Sequence, residues 1–281
     1  MKVVVTGAAG RLGPALVRVA AAAYGEKAVV ALPRAALDVA DEAAVRETIG
    51  RLRPDAILNA AAYTDVDGAE DNAETALAVN AFGVRAIKKA AVEVGANLVH
   101  YSTDFVFDGT KGEPYVETDD PNPAAVYAAS KLLGEWFAEG PNSYVLRVES
   151  LFGGAHGGTI DRMADAFLAG REVHAFTDRV VSPSYVEDVA AATIALLGRM
   201  PAPGLYHCAS TGHATWMEVA GELARQLNVT VPDIRPTTLE EMALKAPRPK
   251  YCALDSEKLA ATGIAMPTWQ DAVARYARSR L

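Results

Sequence analysis

Cysteine is scarce: Cys208 and Cys252 are the only two in 281 residues. Two thiols cannot staple a chain of this length, so a disulfide scaffold is excluded. Neither belongs to a CxxC pair or a Cys/His cluster, which argues against a zinc site. His156, His174 and His213 are dispersed and do not read as metal ligands, and His100, inside an apolar run, reads as a packed histidine. No apolar run reaches the roughly 18 residues of a membrane-crossing helix. The opening MKVVVTGAAG meets glycine after six residues, too soon for a secretory leader. No basic stripe is present either: 27 Lys and Arg against 35 Asp and Glu give a formal charge of -8, with the signs interspersed. That excludes a nucleic-acid surface. The expectation is a cytoplasmic protein with neither a membrane nor a nucleic-acid partner.

What is present is an ordinary apolar content, 51%, in a chain long enough for one large domain or a domain with a smaller lobe. Lys2–Thr6 (KVVVT) is β-branched and bounded by Gly7, so it reads as a buried strand. Helix follows over 11–24, strand over 27–32, and then a helix from DEAAVRETIGRLRP. Its acids lie at the start and its bases at the end, and Pro54 stops it. A third strand lies in DAILNAAA, a long helix over 72–94, a fourth strand over 97–103, a helix over 127–139 and a fifth strand over 143–148. This alternation predicts an α/β protein with a parallel sheet and helices on both faces. After Leu151 the pattern loosens, with helices expected over 159–169, 185–197, 215–227 and 269–279. The proline-rich PDIRPTTLEEMALKAPRPKY is expected to be a surface loop with one helical turn. The division read from this is a dinucleotide-binding domain over 1–150, with parts of 151–210, and a mainly substrate-binding lobe over 151–281.

GAAGRLG places Gly7, Gly10 and Gly13 between the first strand and the first helix. Glycines there let the backbone approach a pyrophosphate, and the helix N-terminus offers N–H donors and a positive dipole end. The spacing is GxxGxxG rather than GxGxxG. Arg11 and Leu12 complete the turn. The end of the second strand lacks the acid that usually meets a ribose 2′-hydroxyl; Arg34 stands nearer than Asp38 and suits a 2′-phosphate. A solvated arginine is the bland reading. Asp38 and Val39 are candidates for the adenine edge. Ala60, Ala61, Ala62 and Tyr63 follow the third strand, where small residues let a cofactor lie across the strand ends. The acids of 65–71 read as a solvated loop and helix start.

YSTDFVFDG ends the fourth strand, and VYAASKLLGEW opens the next helix. Tyr127 and Lys131 are four apart, on one helix face. Packing alone can explain such a pair. In a nucleotide-binding sheet they pair as a proton donor and the cation that lowers its pKa, with the Thr103 hydroxyl placed to orient a carbonyl.

The ordered set GAAGRLG, RPDAILNAAAYTDVDGAE, HYSTDFVFDG, YAASKLLGE, GLYH and RPKYCALDSEKL resembles the extended short-chain dehydrogenase/reductases. More narrowly it resembles the dTDP-4-dehydrorhamnose reductase family, over nearly the whole chain. The resemblance implies a Rossmann-type doubly wound parallel sheet with a smaller C-terminal substrate-binding lobe. It implies NADPH- or NADH-dependent reduction of the C4 keto group of dTDP-4-dehydro-L-rhamnose, NADP(H) being favoured over NAD(H) by Arg34. Thr103, Tyr127 and Lys131 take the catalytic roles, Lys131 also holding the nicotinamide ribose. Asp104, Phe105 and Val106 border sugar and cofactor, and Arg248 meets the substrate diphosphate.

Three departures accompany it. Ala128 replaces the glycine of YGxxK. The segment after the fifth strand reads RVESLFG, with Ser150 where the family has a tryptophan. Some members bind magnesium between subunits through glutamates, but Ala15 occupies one such position and Glu187 another. No metal and a monomer or homodimer are therefore expected. The alternatives are a reductase, epimerase or dehydratase of another nucleotide-linked sugar, and a non-catalytic dinucleotide-binding regulatory subunit. Phe105 after Asp104 counts against the dehydratase, and retention of Thr103, Tyr127 and Lys131 counts against the regulatory subunit.

Overall fold

Val3 and Val5 face one side of a sheet and Val4 the other, and all three are fully buried. A strand with both faces covered reads as a continuous apolar run, and its β-branched residues suit the pleat. This is the centre of the computed structural model, which describes residues 1–230 and 233–281. The strands are β1 (Val3–Thr6), β2 (Val29–Leu32), β3 (Ala56–Asn59), β4 (Asn97–Thr103), β5 (Ser143–Val148) and β6 (Gly204–His207). They pair in the order β2-β1-β3-β4-β5-β6, every pair parallel. The sequence pattern locates the first five; β6, the GLYH segment, adds the sixth.

Helices Gly13–Tyr24 and Val186–Arg199 cover one face, in a core with Leu16, Leu58, Val99 and Leu196. Helices Glu42–Leu52 and Gly83–Val94 cover the other, with Ile49, Ile57, Ile87 and Leu98. Asp41 caps the Glu42–Leu52 helix, accepting from Ala44 N at 3.0 Å. Such a cap supplies a partner for one of the N–H donors that a helix start leaves unpaired.

Two expectations need correction. The helix expected over 72–94 is not uniform: Ala73–Leu77 and Gly83–Val94 flank a wide π-type turn at Ala78–Phe82. There the Asn80 side chain takes the place of a strand partner. Its Oδ1 accepts from Tyr63 N at 2.8 Å, and its Nδ2 donates to Tyr63 O and Ser130 Oγ, each at 3.0 Å. Gly134 permits the approach, since a Cβ on it would collide with Asn80 O. The proline-rich stretch, of which Pro232 lies outside the described residues, is not all loop. Ile234–Thr237 is a strand, pairing in parallel with Val173–Phe176. Pro236 is tolerated because this two-stranded sheet consists only of edges.

The C-terminal part has its own apolar core. Helices Thr159–Leu168, Trp216–Gln226 and Trp269–Arg278 contribute Ile160, Phe167, Val219, Leu223, Val273 and Tyr276. Trp216 and Trp269, the first residues of their helices, are buried in it.

Candidate active site

A cavity of about 710 Å3 opens where the parallel strands end. That is where open α/β sheets bind ligands, because the strands stop and the connections diverge. Its wall runs from the glycine turn (Gly10, Arg11, Leu12), across Ala60, Ala61 and Ala62, to Thr103, Tyr127 and Lys131. It continues through Asp104, Phe105 and Ser150 to Trp216 and Arg248 on the C-terminal side.

The glycine turn is built for proximity. Gly7 has φ +63°, and a Cβ there would meet the Ala60 and Ala61 backbone at 2.5–2.6 Å. Gly13 is equally confined, since a Cβ there would collide with Gly7 O and the Ala8 backbone. Gly10 differs: only Gly7 O, at 3.1 Å, is near its Cβ direction, and it lines the cavity. Gly7 and Gly13 thus hold strand against helix, while Gly10 leaves the turn open to close approach by a phosphate group. The donor set and the small alanines beside it suit a dinucleotide.

Tyr127 sits in the first turn of helix Val126–Ala138, with Phe105 edge-on at 5.7 Å between ring centres. Burial pushes its phenol up to about 12, the Thr103 hydroxyl pulls it down, the Asp104 charge adds to the rise, and Arg11 opposes it. Lys131 is 2% exposed and donates from Nζ to Tyr101 O at 2.5 Å. Burial pulls its ammonium down to about 8, with Glu135 opposing. The lysine was expected to lower the tyrosine's pKa; in this structure burial outweighs any such effect. At rest the Lys131 ammonium donates to the Tyr101 carbonyl of β4, and Tyr127 is a neutral phenol at pH 7.

Thr103 donates from Oγ1 to Asp104 Oδ1 at 2.9 Å and accepts from Phe105 N at 3.3 Å. Asp104 is almost wholly enclosed, and burial raises its carboxyl, with Arg179 opposing. Behind it lie Glu149 and Cys252; one ligating atom from each of the three falls within 4.8 Å of the others. Burial raises the Glu149 carboxyl well above its usual value, and Asp104 adds to that.

Several predicted site residues lie outside the cavity wall. Gly7 and Gly13 are enclosed by backbone, as above. Val39 and Val106 are core residues, packed with Leu37 and Val45 and with Phe107 and Leu132 respectively. Tyr63 contributes backbone to the Asn80 contact. Arg34 projects into solvent with Nη2 at 3.5 Å from Asp38 Oδ2. Arg248 does line the wall, but its Nη2 donates to Asp67 Oδ2 at 2.9 Å and its Nη1 to Ala246 O at 2.8 Å. Asp67 is therefore more than a solvated acid: with Asp71, which pairs with Lys245, it fixes the 245–248 segment to the cavity mouth. Sequence reasoning also missed Arg162, His156 and Arg179 on the wall. They sit outside the regular strand–helix repeat, and no motif flags them.

The model of the RmlD substrate binding domain family matches residues 1–280. The chain belongs to the RmlD substrate binding domain family. Within that likeness, the dTDP-4-dehydrorhamnose reductase of Mycobacterium tuberculosis is 36% identical, over 97% of this chain and 91% of its own. The spore coat polysaccharide biosynthesis protein SpsK of Bacillus subtilis is 34% identical, over 99% and 98%. Among solved structures, the dTDP-4-dehydrorhamnose reductase of Bacillus anthracis in complex with NADP superposes with a TM-score of 0.93. It is 31% identical and covers 99% of this chain and 100% of its own. An RmlD-family chain with this sheet order has the Rossmann-type α/β architecture expected above.

Proposed function

We propose that the protein reduces the C4 keto group of dTDP-4-dehydro-L-rhamnose to give dTDP-L-rhamnose, with NADPH used in preference to NADH. The observation that carries this is the convergence of Thr103, Tyr127 and Lys131 on one cavity that also reaches the open side of the glycine turn. The family membership and the relatives' names support the reaction. Arg34, exposed at the end of β2 with no acid before Asp38, supports the cofactor preference.

NADPH, when bound, supplies the hydride to the sugar's C4. Thr103 orients the carbonyl, and Tyr127, a neutral phenol, donates its proton to the oxygen as negative charge develops there. Lys131 extends toward the cavity from the same helix face and stabilises the phenolate that results. Arg11 and the N–H groups of the glycine turn hold the cofactor phosphates. Arg248 holds the substrate diphosphate after exchanging its bond to Asp67. On this reading 1–150, with parts of 151–210, bind the cofactor, and the rest of 151–281 grips the sugar nucleotide. A cytoplasmic setting and a monomer or homodimer go with it. Magnesium is not required, since Ala15 is apolar and buried and Glu187 is paired with Arg18.

A second reading is reduction of another nucleotide-linked 4-keto sugar. It is favoured by Ser150, a small polar residue on the cavity wall where the family tryptophan was expected. Oxidation of NADPH and of NADH by the purified protein, with dTDP-4-dehydro-L-rhamnose as substrate, tests both. Rapid turnover that collapses in Tyr127→Phe supports the first. NADPH binding without turnover of this sugar, and with turnover of a different 4-keto sugar, supports the second.

A further inference from the structure

Glu149 is fully buried directly after β5, and only one of its oxygens is satisfied, Oε2 accepting from Ser182 N at 2.7 Å. Among the described residues its Oε1 has no partner, and neither has Asp104 Oδ2; both atoms are closed off from solvent. Buried orphan acceptors are costly, and two ionised carboxylates within this short span repel as well. One proton held by the pair relieves the repulsion and turns one orphan oxygen into a donor, and the two acids each place an oxygen within 4.8 Å of the other.

The neighbouring charges agree. The Arg179 guanidinium donates to Cys252 Sγ at 3.5 Å and to Pro249 O at 3.3 Å, and its charge opposes the rise of the Asp104 and Glu149 carboxyls. The Cys252 thiol, pushed well up by burial, stays neutral. Tyr251 and Tyr127, the remaining titratable groups that feel the two acids, are neutral phenols. Two carboxyls, one guanidinium and one proton make a neutral set.

We propose that Asp104 and Glu149 form a proton store that recharges Tyr127 through the Thr103 hydroxyl. The inference rests on the reductase reading above. In each turnover Tyr127 loses its proton to the sugar alkoxide. The phenolate takes the Thr103 hydroxyl proton, and the pair's single proton passes through Asp104 to restore Thr103, leaving both carboxyls ionised until the pair is reloaded. The net change is one proton moved from the acid pair to the product, while the hydride and its two electrons come from the dihydronicotinamide. Water in the cavity, whose wall includes Asp104, reloads the pair. Glu149 touches neither substrate nor cofactor and acts only through Asp104 and Thr103.

The experiment compares the wild type with Glu149→Gln in the reductive direction across pH. The amide keeps the shape and an acceptor for Ser182 N but stores no exchangeable carboxyl proton. The expected result is a kcat lower by roughly ten- to a hundredfold, less than the ~10²–10⁴ of a direct acid. KM should be little changed, and the loss of rate with rising pH expected of the wild type on ionisation of the pair should disappear. A Glu149→Asp variant should recover part of kcat and that pH limb. An active wild type whose Glu149→Gln form keeps both kcat and pH profile overturns the store. Infrared spectra of the wild type alone give a reading that needs no variant. A protonated-carboxyl band at pH 7 that titrates at higher pH is expected, and its absence overturns the shared proton. Failure of the reductase reading looks different: a wild type with no turnover of any nucleotide-linked 4-keto sugar, whatever the infrared band shows.

Discussion

The Arg248 guanidinium lies 2.9 Å from the Asp67 carboxylate, joining segments 181 residues apart at the mouth of the cavity. Hydrogen bonds at this contact, led by the one from Ala246 N, hold Asp67 below the usual carboxylate value, while burial opposes them. The pair is partly exposed, so it contributes little to stability. Its importance lies in placing a cation where a sugar nucleotide's diphosphate enters.

Replacing Arg248 with alanine should therefore act on binding rather than on chemistry. A charged hydrogen bond is worth about 1.5–3 kcal/mol. KM for the nucleotide sugar should rise roughly ten- to a hundredfold with kcat nearly unchanged, the pattern of lost uniform binding. Steady-state kinetics with the keto sugar varied and NADPH saturating provides the check. An unchanged KM would remove Arg248 from substrate binding.

The three glycines of the turn should separate by experiment. Gly7→Ala forces a side chain into the Ala60–Ala61 backbone at positive φ. Strain there is about 1–3 kcal/mol before the clash is counted, so a large fall in Tm is expected. Gly10→Ala sets its methyl 3.1 Å from Gly7 O, a tight contact without the backbone collision of Gly7→Ala; Tm should fall less than for Gly7→Ala while NADPH affinity falls. Thermal melts paired with fluorescence titration of NADPH distinguish the two, and equal losses in both variants would refute the division of labour.

Lys131 makes stability depend on pH in a defined direction. Its folded value is near 8, against 10.5 for an ordinary lysine. Below about 8 both states carry the proton, and the cost of the buried ammonium is fully present. From about 8 to 10.5 the unfolded chain holds more protons than the folded one, so stability rises with pH. Tyr127 opposes this only above 10, where the folded chain keeps a proton that the unfolded one loses. Wild type minus Lys131→Met should show the lysine's part alone, a gain of at most about 2 kcal/mol between roughly pH 8 and 9.5, at about 1.36 kcal/mol per unit. Urea denaturation at the two pH values measures it; a flat difference would contradict the depressed lysine.

The buried pair of Arg147 and Glu135 supports the same region from below. Arg147 Nε and Nη2 donate to the two Glu135 oxygens at 2.9 and 2.7 Å, and Ser102 Oγ donates to Oε1 at 2.5 Å. Glu135→Ala leaves a guanidinium 2% exposed with no counter-ion. A loss of about 3–5 kcal/mol is expected, read by urea denaturation, and β4 is the element that should loosen. A loss under about 1 kcal/mol would mean that water reaches Arg147.

The sequence made the repeating part of this molecule readable, because local rules decide it. Valines at 3–5 with Gly7 after them, Asp41 before a helix and Pro54 behind it each state their structure in a few neighbouring residues. Tyr127 and Lys131 were legible for the same reason, being four apart on one helix. The missed features are assembled from distant parts of the chain. Nothing near Glu149 announces Asp104 and Cys252 beside it, and nothing near Asp67 announces Arg248. Arg179 sits among several such strangers. Pro236 misled because proline argues against a strand only when both edges are paired. The phenol's pKa was misjudged because charge was weighed and burial was not visible.

The π-type turn at Ala78–Phe82 has a consequence for insertions and deletions. Each residue added to or removed from a helix turns everything beyond it by ~100°. Removing one residue within 78–82 would restore a regular helix and swing Asn80 away from Tyr63 and Ser130. The bulge thus acts as one extra residue in the helix, and the bracing of the segment after β3 by Asn80 depends on it.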